Sequence, residues 1–153
     1  MSVEIDATPT QVWATVEAIE RHVDWMHDAT AIRFVGEQTR GAGTEFGCDT
    51  KVGPIKLVDH MAITEWEPMA VIGVRHAGVV SGVGKFTIAA IEPSTGSCNG
   101  ERSRTLFAWE ERLSFPWWLG GRLVAAVAGP AVLRPIWRRN LRALKLQIES
   151  SSS

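Results

Sequence analysis

The chain has 153 residues, of which 45% are hydrophobic and 22% are charged, and its formal net charge is −1. This length suits one domain with its own hydrophobic core, and the composition is typical of a globular protein rather than of a disordered or membrane-embedded chain. A net charge so close to zero gives no general attraction to nucleic acid, so we predict no nucleic-acid partner.

The cysteines and histidines show none of the spacings typical of metal sites. Cys48 and Cys98 stand far apart, which favours two free thiols over a disulfide framework or a zinc site. No glycine-rich phosphate or dinucleotide motif is present either. The histidines form no His-x-His or His-x3-His pair; they are His22, His27, His60 and His76. We therefore predict neither a bound metal nor a cofactor.

The most apolar segment, residues 117–136, contains Arg122, Arg134 and several glycines and prolines. Charges and helix breakers make this segment a poor membrane span, so we predict no stable insertion into a membrane. No basic segment followed by an apolar core opens the sequence, which predicts no secretory signal and a cytoplasmic location. The sequence leaves the oligomeric state open, with a homodimer as one alternative.

Alternation over residues 3–7 predicts a short strand, and a helix follows it directly. Thr8 is suited to cap this helix, Pro9 fits its first position, and Gln11 completes a capping box with Thr8. Apolar residues continue at helical spacing as far as Val23, which predicts about three turns. Residues 24–28 are predicted to form a second short helix.

From residue 31 the hydrophobic period changes from that of a helix to that of a strand. Glycine and proline separate the alternating runs, and we interpret Gly82-Val83-Gly84 as one of these turns. A polar loop is predicted over residues 93–102. Short turns between successive strands indicate an antiparallel meander. The predicted strands cover residues 31–35, 44–52, 55–66, 71–76, 85–91 and 104–115.

Apolar residues in the last third of the chain, from Leu119 to Ile148, fall at helical spacing, with basic residues on much of the opposite face. This pattern predicts a long amphipathic helix that breaks or kinks at Gly129-Pro130 and again near Pro135. Residues 150–153 are predicted to be a disordered tail. No linker divides the rest, so residues 1–149 form one predicted domain.

The order of the predicted elements indicates how they pack. An antiparallel sheet with one apolar face needs a cover, and the C-terminal helix is the only sizeable cover that the sequence offers. We therefore predict an α+β fold in which the sheet curls around this helix. Where the facing side chains do not fill the space between the two layers, a ligand commonly binds.

Three parts of the sequence carry a resemblance to a known family. They are Val-Glu-Ile-Asp-Ala-Thr-Pro-Thr-Gln-Val-Trp at 3–13 with Asp24-Trp25, the passage from Phe107 to Gly121, and the arginine-rich last helix. On these residues the chain resembles the START-like (SRPBCC) superfamily, in its polyketide cyclase/dehydrase and lipid-transport branch. The resemblance implies the helix-grip fold, an antiparallel sheet wrapped around a long C-terminal helix, with two short helices after the first strand. It implies a function among binders, transporters and cyclases.

Two carboxylates are predicted to lie on apolar sheet faces. Alternation places Glu111 with Trp109 and Leu113, and it places Asp59 with Met61 on an earlier strand. A carboxylate on an apolar face is costly unless it is paired, and its pKa rises. Each acid is either a functional group or a structural acid bonded to an arginine or a backbone group.

His76 shares a predicted face with Val74 and is the natural partner for either acid. Held between Asp59 and Glu111, it would act as a general base on a polyketide or similar carbonyl substrate. The alternative is a core histidine whose hydrogen bonds are satisfied. A change of register by one residue would exchange His76 with Arg75, so the hypothesis depends on strand pairing.

The leading functional hypothesis is the binding of a small hydrophobic molecule, such as a lipid, a polyketide or an aromatic metabolite, between the sheet and the last helix. One alternative is an enzyme, a polyketide cyclase/aromatase or dehydratase that uses Asp59, His76 and Glu111 as acid–base residues. A second alternative is a protein-interaction module with a filled core. The sequence does not decide between an enzyme and a binder. The predicted ligand-binding residues are Trp25, Phe46, Met61, Phe86, Trp109, Leu133, Trp137 and Leu141.

Overall fold

A computed structural model of the chain describes residues 1–92, 103–114, 116–117 and 121–151, with the backbone alone described for residues 121–130. The predicted polar loop 93–102, which contains Cys98, lies outside the described residues.

The described strands form one seven-stranded antiparallel sheet, in the order β1-β7-β6-β5-β4-β3-β2. From β2 to β7 each strand pairs with the next one along the chain, and β1 pairs with the outer side of β7. The predicted antiparallel meander is therefore confirmed. The strands are β1 Ser2–Ile5, β2 Ala29–Val35, β3 Glu45–Val52, β4 Ile55–Glu67, β5 Val71–Ala77, β6 Ser81–Ile91 and β7 Arg104–Ser114.

The first helix, α1, covers Pro9–Val16, and the predicted capping box between Thr8 and Gln11 is present. Two short helices follow the first strand, as predicted, but their predicted bounds are wrong, because α1 does not continue to Val23 and the second helix does not cover residues 24–28. The chain leaves the helical conformation at Ala18, and a 3₁₀ helix follows over Ile19–Asp24. The bend lets the His22 ring donate a hydrogen bond of 2.7 Å to the Val16 carbonyl oxygen, which the end of α1 leaves unpaired.

The last helix, α2, covers Gly121–Ser151 without interruption, so the predicted break at Gly129-Pro130 and near Pro135 is wrong, whereas the alternative of a kink stays a prediction. Proline has a backbone φ that suits a helix, and each proline removes one backbone hydrogen bond while the turns around it keep theirs. The helix also extends two residues into the predicted tail, where Ser150 and Ser151 donate from their hydroxyls to the Gln147 carbonyl oxygen.

Gly82 and Gly84 lie inside β6, so their assignment to a turn is wrong. A Cβ at Gly82, where φ is +150°, would collide with the backbone carbonyl oxygen of Arg112 on β7. A Cβ at Gly84 would lie 3.0 Å from Cγ1 of Val74 on β5. Glycine is typical of turns, but in this strand it permits the close approach of neighbouring strands.

Asn140 joins α2 to the segment that leads into β2. Its side chain is fully buried, and its Nδ2 donates to Oδ1 of Asp28 at 2.6 Å. Its Oδ1 accepts a hydrogen bond of 3.0 Å from the backbone N–H of His27. Both polar ends of a buried amide are therefore satisfied by one short segment, which holds the helix over this side of the sheet.

We predict that Asn140→Ala lowers the free energy of unfolding by about 2–3 kcal/mol, because it leaves the His27 N–H and the Asp28 carboxylate without this partner. Urea denaturation followed by circular dichroism measures the change. The control is Arg139→Ala, one residue earlier on the exposed face of α2, for which we expect a change within about 0.5 kcal/mol. Equal stability of the two variants would contradict the prediction.

Candidate functional site

A cavity of about 160 Å³ lies between the inner face of the sheet and α2, and its lining is mainly apolar. The predicted ligand-binding residues that line it are Phe46, Met61, Phe86, Trp109, Leu133 and Trp137. Trp25 and Leu141 lie in the packed core instead, with 0% and 3% exposure. The Trp25 ring meets Trp109 edge to face, with ring centroids 6.1 Å apart, so it supports the cavity wall from behind.

The lining of the cavity is exposed near the β5–β6 connection and buried further along the strands. Val79, in this connection, belongs to the lining and is 41% exposed. Ile72, Phe86 and Trp109 line the opposite, deeper part and are buried. The buried end of the cavity is therefore aromatic and aliphatic.

His76 and Asp59 form a buried hydrogen-bonded pair inside the cavity. The distance from His76 Nδ1 to Asp59 Oδ2 is 2.6 Å, and both residues are 7% exposed. Because a carboxylate oxygen accepts, Nδ1 carries the proton and donates it. The other ring nitrogen, Nε2, is buried with no hydrogen-bond partner among the described residues and lies 3.8 Å from Oε1 of Glu111. The structure thus places His76 between the two acids.

Two glycines let His76 and Glu111 approach each other across an intervening strand. His76 on β5 pairs with Gly82 on β6, and Gly84 pairs with Glu111 on β7. Backbones two strands apart are separated by about 9.6 Å. The side chains of His76 and Glu111 nevertheless approach each other, because the β6 residues between them are glycines without side chains. A Cβ at Gly84 would lie 3.3 Å from Cγ of Glu111. Arg75, the register alternative, pairs with Ala62 and is exposed.

Burial is the main cause that raises the pKa of Glu111 to about 7. His76 and a hydrogen bond from Trp109 oppose the rise, while the charges of Asp28 and Asp59 add to it. Burial lowers the pKa of His76, but the hydrogen bond to Asp59 and the charges of Glu111 and Asp59 outweigh it, so the net shift is upward. Glu111 can therefore take up and release a proton near neutral pH, and His76 holds its proton more tightly than an ordinary imidazole does.

The structure adds cavity residues that the sequence analysis did not select. Asp28 lines the cavity and accepts the hydrogen bond from Asn140; no periodicity marks it, because it lies between the 3₁₀ helix and β2. His22 also lines the cavity, but burial lowers its pKa to about 4, so it is neutral and structural. Burial raises the pKa of the Cys48 thiol to about 11, which makes this lining residue a poor nucleophile.

Over the described parts of the chain, no three or more histidine, cysteine or acidic side chains are grouped so that they could hold a metal ion. Within the same ranges, no helix is both long and apolar enough to cross a membrane.

Residues 1–149 match the protein family described as polyketide cyclase / dehydrase and lipid transport. The match spans nearly the whole chain, so the chain belongs to this family. No curated protein sequence matches this one.

Solved structures with the same fold include an aromatase/cyclase and a START superfamily protein. The Zhui aromatase/cyclase from Streptomyces sp. R1128 is 15% identical, with a TM-score of 0.73 over 100% of this chain and 93% of its own. The START superfamily protein from Mycobacterium smegmatis is 16% identical, with a TM-score of 0.64 over 98% and 95%. The di-domain ARO/CYC StfQ of the steffimycin biosynthetic pathway is 13% identical, with a TM-score of 0.68 over 99% of this chain and 44% of its own. The START-like, helix-grip prediction is confirmed; at these identities the likeness establishes the fold alone.

We predict that the Glu111→Gln variant gains stability relative to wild type as the pH rises from about 5 to about 8. The pKa of Glu111 in the folded chain, about 7, lies above its ordinary value of 4.5. The free energy of unfolding of wild type therefore falls by up to about 3 kcal/mol as the pH rises from 4.5 through about 7. The variant lacks this loss, because glutamine does not ionise.

Urea denaturation of both proteins across this pH range measures the difference. Glu110→Gln is the matched control, because Glu110 is the preceding residue and is exposed. A stability difference between Glu111→Gln and wild type that does not change with pH would contradict the raised pKa.

Proposed function

We propose that this chain binds a small hydrophobic molecule in the cavity between the sheet and α2. The observation that carries the proposal is the unfilled, mainly apolar volume of about 160 Å³ with a few polar groups on one side. Cavities of this composition are typical ligand sites. An unfilled interior also argues against the interaction module with a filled core. Lipids, polyketides and aromatic metabolites are the candidate classes, and the aromatase/cyclase with the same fold supports the last two.

The aromatic wall of the cavity supports the same proposal. The Trp109 ring lies 5.8 Å from Trp137 of α2 and 5.3 Å from Phe86 of β6, measured between ring centroids. Rings packed in this way have few alternative rotamers, so they present a preformed surface to a ligand. A preformed surface reduces the conformational entropy that binding would otherwise cost.

We predict that native mass spectrometry of the gently purified protein detects a stoichiometric hydrophobic adduct, and that Val74→Phe abolishes it. Val74 lines the cavity, so a phenyl ring there occupies the ligand's volume. Val83→Phe is the matched control, because Val83 lies on the neighbouring strand and is 52% exposed. We expect the control to retain the adduct.

Wild type that stays free of adduct, and that binds none of a panel of lipids, phenyl ketones and polyphenols, would contradict the binding proposal. Thermal unfolding of both variants shows whether loss of the adduct comes from loss of the fold.

Acid–base catalysis on a bound carbonyl compound is the second candidate, and the unpartnered Nε2 of His76 favours it. In this proposal the bond between Cα of the substrate and its proton breaks, and Nε2 takes the proton. The electron pair moves to the carbonyl oxygen, which receives a proton from the Glu111 carboxyl group. Asp59 holds the imidazole in the required tautomer and stabilises its charge. Cyclisation or loss of water can follow from the resulting enol.

We predict that wild type accelerates the exchange of the methyl protons of acetophenone with D₂O, measured by proton NMR. Replacement of the base in His76→Gln lowers the rate at least about 100-fold, while binding of acetophenone persists. His60→Gln is the control, because His60 lies next to Asp59 but is exposed. If His76→Gln and His60→Gln exchange at the same rate, His76 is not a catalytic base, and the binding proposal remains.

A further inference from the structure

The volume of the cavity limits the size of its ligand. A dry protein cavity of about 150 Å³ holds one benzene molecule, whereas sites for drug-sized ligands span about 300–1,000 Å³. The cavity of this chain, at about 160 Å³, belongs to the first class. One ring with a few substituent atoms therefore fits, and a folded long chain or a three-ring system does not.

The charges of the lining determine the sign that a ligand can carry. Three carboxylates line the cavity: Asp28, Asp59 and Glu111. Among the described lining residues each basic side chain already has an acceptor. Nε2 of His22 donates to Val16, Nδ1 of His76 to Asp59, and the Lys85 ammonium lies 2.6 Å from Glu65. An anionic ligand would meet the like charges of the buried acids, and among the described lining residues His76 and Lys85 each already pair with a carboxylate, which makes an anion unfavourable.

The cavity lining also contains a polar atom that a ligand could pair. Nε2 of His76 is buried without a hydrogen-bond partner among the described residues, and Oε1 of Glu111 lies 3.8 Å from it, too far for a hydrogen bond. A hydroxyl group between them can donate to Nε2 and accept from the carboxyl group of Glu111. A carbonyl oxygen can accept from the same carboxyl group. A hydroxyl group thus pairs Nε2 of His76, which the described residues leave without a partner, and either kind of oxygen can accept from Glu111.

We propose that the cavity selects a compact, uncharged molecule of about one ring, with a carbonyl or hydroxyl oxygen at the His76–Glu111 pair, and rejects carboxylates of the same shape. This inference rests on the proposed binding function and specifies its ligand class. The inference predicts different affinities for acetophenone and benzoate, which differ little in size but differ in charge.

The test is isothermal titration calorimetry of the wild-type chain at about pH 7 with acetophenone, benzoate, palmitate and the three-ring ketone anthrone. We expect acetophenone to bind at least about tenfold more tightly than benzoate, and palmitate and anthrone not to bind. Because the pKa of Glu111 is about 7, this group is partly ionised at the pH of the test. Glu111→Gln removes that charge, so the preference for acetophenone over benzoate should fall at least about threefold. Glu110→Gln, the exposed control, should keep it.

Benzoate that binds as tightly as acetophenone would overturn the charge selection, and binding of palmitate or anthrone would overturn the size limit. In both cases the cavity still binds a hydrophobic molecule, so the proposed function survives. If none of the four compounds binds, the inference fails, and the adduct test by native mass spectrometry decides the binding function separately. A preference that Glu111→Gln and Glu110→Gln reduce equally would overturn the role of Glu111 in selection.

Discussion

The width of the sheet relative to its helical cover is the constraint on which the rest of the structure depends. Seven strands at about 4.8 Å spacing make a sheet about 29 Å wide, whereas a helix with its side chains is about 10 Å across. The helices of this chain approach β1, β2, β6 and β7 most closely. Met26 and Trp137, from the helical side, line the cavity together with residues of β3, β4 and β5. The cavity occupies the space that this cover leaves.

The polar groups in the cavity follow from the same geometry. Asp59, His76 and Glu111 lie on one diagonal that crosses the four strands from β4 to β7, with Asp59 nearest the β5–β6 connection and Glu111 deepest. Desolvated carboxylates are costly, and Asp59 keeps one buried oxygen, Oδ1, without a hydrogen bond. A fold under selection for stability alone would not need this arrangement. Unsatisfied polar atoms that face a cavity are instead typical of a site that a ligand completes.

Binding and catalysis are not exclusive in this site, because the same residues would serve both. In the proposed complex the aromatic wall would position an apolar body, and His76 with Glu111 would face its oxygen. Whether the chain only holds its ligand or also moves a proton depends on where the ligand's acidic carbon lies relative to Nε2. A difference of about 1 Å in that position separates a binder from an enzyme. Members of one fold can therefore differ in activity with little change in architecture.

Much of this molecule could be predicted from local patterns. The alternation of β4, β5 and β7 already places Asp59, His76 and Glu111 on inward faces, and Thr8 with Gln11 marks the start of α1. Local patterns failed where a distant partner decides the conformation. The His22 ring hydrogen-bonds to Val16 at a bend that helical spacing does not reveal. Gly82 has the sequence pattern of a turn residue, because the sequence does not show that the β7 backbone packs against it.

The sequence by itself determined which side chains face the interior, because that depends on the period of a strand or helix. Only the tertiary structure decided that three of them meet, since the register of four strands and the missing side chains of β6 set those distances. It also decided the size of the cavity, because an unfilled volume is the small difference between large packed volumes, and no single residue encodes it.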